Sequence, residues 1–225
     1  MRFGIVCALA AEAGSFAAPR GRWLGEHDYV VATSGAGGAR AAAVARALTD
    51  DGAEVLVSWG LAGGLDPGWR AGDLQVAGEV RDAERHAATD ARLAMTILEQ
   101  LGDGVTVRRG ALLTVTAPVT LGSAKRALHE RSGAHAVDME SSAIADVAST
   151  MNLPFLAIRC IVDPAGFDVP AIALAGVDDD GRPRPWRTAA AAIVHPGQVP
   201  GLLALFGHYR AAMRTLTATA TKLTR

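Results

Sequence analysis

The chain has 225 residues, of which 50% are hydrophobic, and its mean hydropathy is +0.20. This length and composition suit the core of one large α/β domain that spans residues 1–225. The 22 basic and 23 acidic residues are spread along the chain and give a formal charge of −1, which argues against a nucleic acid partner. Cys7 and Cys160 lie in apolar strand-like runs without the spacing of metal ligands. We interpret them as small core residues in a reducing cytosol and predict no metal site.

The apolar pattern predicts strands that alternate with helices. We interpret the first apolar run as a strand rather than a signal peptide, because Glu12 follows it at once. The predicted strands are 2–8, 28–33, 54–59, 73–79, 105–115, 134–138 and 154–161, and the predicted helices are 37–50, 90–101, 123–132, 140–151, 187–195 and 199–216. This alternation predicts a three-layer α/β/α sandwich around a central mixed, mostly parallel twisted sheet. No apolar run reaches the length of a membrane span, so we expect a cytoplasmic protein with at most peripheral contact to the inner membrane surface.

Acidic or glycine-rich segments follow four of the predicted strands. Glu12 follows the first strand, residues 34–38 the second, residues 60–64 the third, and Asp163 the last. Ligands of parallel α/β sheets bind outside the carboxyl ends of the strands, so these segments can converge on one crevice. Backbone N–H groups in such glycine clusters can face an anion or a nucleophile. A tight strand-to-helix connection explains each cluster equally well.

Two carboxylates stand at the edges of apolar elements. Glu140 lies in the segment 137–143, and Asp163 ends the apolar run that begins at residue 154. Apolar surroundings disfavour the charged form of a carboxylate and raise its pKa. Such a placement lowers the stability of the fold, which suggests that the group has a function. For Glu140 the alternative is a favourable negative charge in the first turn of a helix. We take Glu140 and Asp163 as the first candidates for chemistry.

The glycine clusters do not match the common cofactor-binding loops. Gly35 and Gly37 give the first half of a G-x-G-x-x-G fingerprint, but position 40 is arginine. Neither cluster is followed by Gly-Lys-Ser/Thr, and no G-x-S-x-G nucleophile elbow occurs in the sequence. The sequence therefore argues against a nicotinamide or flavin enzyme and against a Walker A nucleotide site.

Four linked motifs together carry a family resemblance. In order and spacing, residues 60–65, 72–74, 137–140 and 159–163 resemble the superfamily of nucleoside phosphorylases and 5′-methylthioadenosine/S-adenosylhomocysteine nucleosidases, across residues 1 to about 165. Within it, segments 163–165, 177–184 and 195–198 make the chain most similar to the hopanoid-associated phosphorylases, also described as adenosylhopane nucleosidases. Residues 166–225 are then a subfamily-specific C-terminal extension packed on the domain.

The resemblance implies an enzyme that cleaves the N-glycosidic bond of a 5′-extended adenosine and releases adenine. The implied substrate is adenosylhopane, which would give ribosylhopane or its 1-phosphate in hopanoid lipid biosynthesis. A 5′-methylthioadenosine/S-adenosylhomocysteine nucleosidase and a non-catalytic nucleoside-binding protein are the alternatives. No cofactor is implied, although inorganic phosphate is a candidate co-substrate. The family also implies a homodimer.

Roles for individual residues follow from the same resemblance. Asp163 matches the residue that protonates or hydrogen-bonds purine N7, and Glu140 matches the carboxylate that holds the ribose hydroxyls. Glu12 matches the carboxylate that activates water. Met139 would lie against the ribose, and further substrate contacts are expected at Ala62, Gly63 and Val119. The candidates for phosphate or nucleophile binding are Ser34, Gly35, Gly37, Arg40 and Arg159, the last of which a salt bridge to a buried acid would explain equally well.

Several positions depart from the nucleosidase pattern. Leu61 replaces a serine that helps to hold the water, and Val162 replaces the serine before the catalytic aspartate. At the position of the aromatic ring that stacks on adenine the chain has Pro118, with Val119 next, which predicts weaker apolar contact.

The last predicted helix carries apolar residues at helical spacing. They are Leu202, Leu203, Leu205, Phe206, Tyr209, Met213 and Leu216. One interpretation is a stripe that faces the core and leaves Arg210 and Arg214 in solvent. The other is an apolar groove or membrane-facing patch that receives a lipid tail. The sequence leaves both open.

Overall fold

The structure is a computed structural model that describes residues 1–175 and 194–225. The family segment 177–184 and residues 187–193 of one predicted helix lie outside the described residues. The strands are β1 (Arg2–Cys7), β2 (Arg20–Trp23), β3 (His27–Thr33), β4 (Val55–Gly64), β5 (Leu74–Val76), β6 (Glu79–Arg81), β7 (His86–Ala88), β8 (Val107–Arg108), β9 (Ala111–Thr114), β10 (Ala136–Asp138) and β11 (Phe155–Asp163). The helices are α1 (Ala10–Ala13), α2 (Gly38–Asp50), α3 (Ala91–Leu101), α4 (Gly122–Ser132), α5 (Ser141–Thr150), α6 (Ala171–Ala175) and α7 (Val199–Leu223).

The strands form one mixed sheet in which parallel pairs dominate. Its main path runs β2-β3-β1-β4-β10-β9-β6-β7, while β11 also pairs with β4 and with β5. The central strands β3, β1, β4 and β11 are parallel to their neighbours in this group. The antiparallel pairs are β2 with β3, β10 with β4, β5 with β11, and β6 with β7. The predicted fold class, a mostly parallel mixed sheet between helices, is confirmed.

Each face of the sheet has its own hydrophobic core, because side chains alternate across a strand. On one face Phe3 and Ile5 of β1 pack with residues of α3 and α7. On the other face Val6 packs with residues of α2 and α5. Strands that are covered on both sides carry continuous apolar runs, as β1 and β4 do.

Both cysteines lie in the first of these cores and are unbridged. Burial raises the pKa of Cys160 to about 12 and the pKa of Cys7 well above its usual value. Thiols that stay protonated are poor nucleophiles, which fits a packing role.

The structure corrects the sequence prediction at residues 60–64. They are not a turn into a helix but the second half of β4, and they pair with both β10 and β11. The glycines leave space for other groups: a Cβ at Gly60 would lie 2.5 Å from Glu12 Oε1, and one at Gly63 would lie 3.2 Å from Asp163 Oδ2. Gly60 and Gly63 are therefore explained by carboxylates that lie against the main chain of β4, whereas a Cβ at Gly64 would lie 3.1 Å from Ile161 Cγ2.

Two long predicted strands are each divided in the structure. The segment 73–79 supplies β5 and the start of β6, and the segment 105–115 supplies β8 and β9. The second division occurs at Gly110, where a Cβ would lie 2.5 Å from His135 Nδ1. The short strands β2 and β7, which carry little apolar pattern, were not predicted.

The two halves of α7 differ in their surroundings. In the C-terminal half Ala212, Leu216, Ala220 and Leu223 are buried in the first core. In the N-terminal half, by contrast, Leu203 and Phe206 are exposed. The core-facing interpretation of the apolar stripe therefore holds for Met213 and Leu216, whereas in the first half Leu202 and Leu205 are half-buried and Leu203 and Phe206 are exposed. No helix of residues 1–175 and 194–225 is long and apolar enough to cross a membrane.

We expect the Leu216→Ala substitution to lower the free energy of unfolding by about 2–5 kcal/mol, because it opens a cavity in the first core. Leu203→Ala on the same helix is the matched control, since Leu203 is 66% exposed. Its effect should stay within about 0.5 kcal/mol. Urea unfolding followed by circular dichroism measures both. Equal losses in the two variants would contradict this account of α7.

Candidate active site

One cavity lies at the carboxyl ends of the central strands, with a volume of about 350 Å³. It brings together the segment after β1, residue 36 after β3, the second half of β4 and the end of β11. The residues that line it are Ala8, Leu9, Glu12, Ala36, Leu61, Ala62, Gly63, Val115, Pro118, Val119, Thr120, Val137, Asp138, Met139, Glu140, Val162, Asp163 and Val169. The predicted convergence of four segments on one crevice is thus confirmed.

Glu12 lies in the short helix α1 and is almost completely buried, with 3% of its surface exposed. Its Oε1 accepts a hydrogen bond from the N–H of Leu61 (2.8 Å), and its Oε2 accepts one from the N–H of Leu9 (2.9 Å). Burial raises the pKa of Glu12, while Arg159 and the two N–H groups oppose the rise. The result is a carboxylate held in one orientation and more basic than an exposed one.

Glu140 directly precedes α5, whereas the sequence predicted a helix that begins at residue 140, and its side chain does not cap that helix. Its Oε1 instead accepts a hydrogen bond from the N–H of Gly37 at the start of α2 (2.8 Å), and its Oε2 accepts one from the N–H of Met139 (3.3 Å). Burial raises the pKa of Glu140, and the neighbouring Asp138 raises it further. The Glu140 carboxylate is thus held by two main-chain N–H groups outside α5.

Behind these two glutamates Arg159 is buried in β11 and pairs with Asp138. Its Nε and Nη2 donate to Asp138 Oδ2 at 2.9 and 2.8 Å, and Nη2 also donates to Ser58 Oγ (2.6 Å) and Ser141 Oγ (3.1 Å). Nη1 is buried and has no hydrogen-bond partner among the described residues. Burial lowers the pKa of Arg159, but Asp138, Glu12 and Glu140 together outweigh that effect and raise it. Arg159 therefore stays cationic and stabilises the three acids around it.

Asp163 ends β11 and forms an ion pair with Lys125 of α4. The distance from Lys125 Nζ to Asp163 Oδ2 is 2.5 Å, and the lysine side chain is fully buried while 13% of the aspartate side chain is exposed. Burial raises the pKa of Asp163, and Lys125 opposes the rise. The exposed edge of Asp163 contributes to the cavity lining.

The predicted site residues fall into two groups. Asp163, Glu12, Glu140 and Met139 line the cavity, and so do Ala62, Gly63 and Val119. The predicted phosphate or nucleophile group does not line it: Arg159 lies behind it, Arg40 is exposed on α2, and Ser34, Gly35 and Gly37 flank the lining residue Ala36.

Three of the four backbone N–H groups of the 34–37 loop already have partners within the protein. The N–H of Ser34 donates to Cys7 O (2.9 Å), that of Gly35 to Ala8 O (3.0 Å) and that of Gly37 to Glu140 (2.8 Å). The Ser34 hydroxyl donates to Gly35 O (2.7 Å). These bonds hold the loop against β1 and Glu140, so these groups do not form an open nest for an anion.

Sequence reasoning missed the polar partners of the predicted residues. Asp138 lies in the motif 137–140 but has no predicted role, and the buried acid expected to form a salt bridge with Arg159 is Asp138. Ser58 and Ser141 complete that buried network, and their hydroxyls lie 2.9 Å apart. Lys125 stands in a strongly polar helix and gave no sequence signal of burial. No group of three side chains in the described parts of the chain is arranged to hold a metal ion.

Residues 9–184 match the Phosphorylase superfamily, and the chain belongs to this family. The 5′-methylthioadenosine/S-adenosylhomocysteine nucleosidases of Mycobacterium bovis and Mycobacterium tuberculosis are each 28% identical to it, over 64% of this chain and 73% of theirs. The family and these relatives confirm the predicted class of enzyme, a nucleosidase or nucleoside phosphorylase that cleaves N-glycosyl bonds.

Solved structures agree with the fold. The nucleosidase of Neisseria meningitidis, in complex with methylthio-immucillin-A, has a TM-score of 0.73 at 17% identity and covers 99% of this chain and 97% of its own. The nucleosidase of Campylobacter jejuni has a TM-score of 0.72 at 18% identity, with 100% and 97% covered. Native futalosine hydrolase of Helicobacter pylori has a TM-score of 0.70 at 17% identity, with 99% and 98% covered.

We expect Asp138→Ala to lower the free energy of unfolding by about 3–5 kcal/mol, because it leaves the buried Arg159 without its partner. Asp146→Ala is the matched control, since Asp146 lies on α5 and pairs with Arg85 at the surface. That exposed pair is worth about 0–1 kcal/mol. Chemical denaturation of both variants measures the difference. A loss in Asp138→Ala no greater than in the control would contradict the role given to Asp138.

Proposed function

We propose that the protein is a hydrolytic N-glycosidase that releases adenine from a 5′-substituted adenosine. The observation that carries this proposal is the placement of Glu12, Glu140 and Asp163 around one cavity of about 350 Å³. Cleavage of a C1′–N9 bond needs an acid at the base, an anchor at the sugar and a nucleophile at C1′. The three carboxylates match these three needs.

The acid is Asp163. When the C1′–N9 bond breaks, the bonding electrons remain on the purine, which becomes a better leaving group if N7 takes up a proton. Burial raises the pKa of Asp163, which favours the protonated form that a general acid requires. Adenine then leaves as a neutral molecule. Apolar groups at Val119 and Pro118 would contact the base in this arrangement.

The other two carboxylates would bind the sugar and activate the water. Glu140 would accept hydrogen bonds from the ribose hydroxyls, and its negative charge favours the positive charge that develops on the sugar. Glu12 would accept a proton from water while the water oxygen bonds to C1′. Its oxygens each accept one N–H and keep lone pairs for this task. The products are adenine and a ribose with a hydroxyl at C1′.

Three observations support water rather than phosphate as the nucleophile. The N–H groups of Ser34, Gly35 and Gly37 are already bonded within the protein. Two carboxylates, Glu12 and Glu140, border the expected place of the nucleophile and would repel an anion. The charge of Arg159 is largely balanced by Asp138 at 2.8 Å.

For the 5′ group we propose a bulky apolar substituent, as in adenosylhopane. Val169 lines the cavity, and the next residue, Pro170, packs against Gly201 in the N-terminal half of α7. Leu203 and Phe206 of that half are exposed, and no charged residue occurs from Val199 to Gly207. This surface would support a lipid chain and a peripheral membrane contact.

A nucleosidase for 5′-methylthioadenosine and S-adenosylhomocysteine is the second candidate. The curated relatives with these names are 28% identical to the chain. In either case we propose that residues 1–225 act as one domain, with 166–225 as its extension, and that the enzyme works as a cytoplasmic homodimer.

We expect Asp163→Asn to lower kcat for adenine release by about 10²- to 10⁴-fold, the usual contribution of a general acid. Substrate binding, measured by titration with a non-reacting nucleoside analogue, should persist because the amide keeps the shape of the site. Asp103→Asn, at an exposed position after α3, is the matched control. An unchanged kcat in Asp163→Asn would remove Asp163 from the reaction.

Adenine release from three nucleosides, each with and without phosphate, tests the substrate and the nucleophile. The nucleosides are adenosylhopane, 5′-methylthioadenosine and S-adenosylhomocysteine, and chromatography measures the adenine. We expect turnover of adenosylhopane without phosphate. Rapid turnover of the two thioethers alone would favour the second candidate, and a requirement for phosphate would overturn the hydrolytic mechanism. Absence of adenine from all three would favour a nucleoside-binding protein.

A further inference from the structure

Lys125 has surroundings that the packing of its own helix does not explain. In α4 only Gly122 and Lys125 are buried, and the lysine side chain is fully buried. A charged ammonium group out of water is costly unless it is paired and hydrogen-bonded. The partners of Lys125 Nζ are Asp163 Oδ2 (2.5 Å), Phe167 O (2.9 Å), Pro164 O (3.1 Å) and Asp163 O (3.2 Å). All four belong to the turn that begins at Asp163.

We propose that Lys125 is a positioning residue for Asp163: its ammonium group fixes the direction of the carboxyl group and controls the pH range in which that carboxyl holds a proton. This inference rests on the proposed function, because it gives Asp163 the role of the acid. Lys125 itself touches neither the cavity nor a reacting atom, since it is absent from the cavity lining.

The orientation is fixed from two sides. Lys125 holds Oδ2 of Asp163, and the main chain of Gly63 lies under the carboxyl group, where a Cβ would come within 3.2 Å of Oδ2 and 3.5 Å of Oδ1. The same turn is tied to α4 at a second place, where the N–H of Gly122 donates to Asp168 Oδ1 (2.7 Å). The acid and the N-terminal end of α4 therefore form one unit.

The charge of Lys125 acts directly on the acid. The titratable and charged groups around Asp163 are Lys125 on α4, His208 on α7, Glu12 and Glu140 across the cavity, Arg159 on the same strand and Asp168 in the next turn. Burial raises the pKa of Asp163, and Lys125 is the largest of the groups that oppose this. A general acid is active only while protonated, so activity falls as pH rises through its pKa. Removing the cation raises that pKa and moves the loss of activity to higher pH.

The test is the pH profile of kcat for adenine release by Lys125→Met, Lys125→Gln and the wild type, with Arg126→Met as the control. Arg126 is the exposed neighbour of Lys125 on α4. In Lys125→Met we expect kcat to fall by about 10²-fold from misplacement of the acid. The remaining activity should decline at higher pH than in the wild type. Lys125→Gln keeps hydrogen-bond donors without the charge, so it should show the same displacement with a smaller loss of kcat. If Lys125→Met does not fold, the pH profile of Lys125→Gln alone provides the test.

The proposal would be overturned if kcat declined at the same pH in both variants as in the wild type. Loss of a purely structural lysine would lower kcat equally at every pH. Carbon-13 NMR of labelled aspartate carboxyl groups, assigned with Asp163→Asn, measures the pKa of Asp163 without any substrate. We expect this pKa to rise in Lys125→Met and Lys125→Gln and to stay constant in Arg126→Met. If no nucleoside is cleaved by the wild type, the proposed function fails, and this titration still decides for or against Lys125.

Discussion

The burial of charge around one cavity is the constraint on which the rest of the structure depends. Glu12, Asp138 and Glu140 are each less than a tenth exposed, and Asp163 is only slightly more so. Such groups are tolerated when cations and N–H donors compensate for their lost hydration. Arg159 compensates for the charges of the three acids Glu12, Asp138 and Glu140. Lys125 compensates for the charge of Asp163. Neither cation lines the cavity: Arg159 lies behind the part lined by Glu12 and Glu140, and Lys125 lies behind the part lined by Asp163.

The fold provides this arrangement through two neighbouring parallel strands. β11 carries Arg159 within the sheet and Asp163 at its end, while β4 lies beside it and offers main chain without side chains at Gly60 and Gly63. The remaining carboxylates come from segments that follow β1 and β10. Short loops at the carboxyl ends of strands supply functional groups while the sheet holds them in place. The two hydrophobic cores make that sheet a rigid base for the charged cavity.

Sequence reasoning found three of the four acids and Arg159, but it found neither Asp138 nor Lys125. Glu12, Glu140 and Asp163 stand at the ends of apolar elements, where an unexplained charge is visible in the sequence. Lys125 stands among charged residues of a polar helix and is indistinguishable there from a solvated lysine. Its burial depends on a contact with residues 163–167, about 40 positions away along the chain. Tertiary contacts of this kind leave no local pattern.

The same limit explains the errors in the elements. Residues 60–64 were predicted as a turn because glycine commonly marks one, whereas here glycine makes room for carboxylates over a strand. The apolar stripe of α7 continues without a break past the edge of the core, so nothing in its periodicity shows where burial ends. By contrast, the layer order followed correctly from the alternation of apolar strands and helices, because that pattern is repeated over many elements.

The glycines of β4 limit which positions of the cavity lining can change among related proteins. Gly63 in the lining and Gly60 next to it offer no side chain to vary, since an added Cβ would meet the carboxylate of Asp163 or of Glu12. On this strand only Leu61 and Ala62 offer lining side chains that can vary, and a larger variable wall is formed by Val115, Pro118, Val119, Thr120 and Val169. That wall leads directly into α4, and the N–H of Val169 is bonded to Thr120 O at 2.8 Å. Remodelling the wall therefore also shifts the main chain next to Lys125 and Asp163, so the shape of this wall and the position of the Asp163 carboxyl group change together.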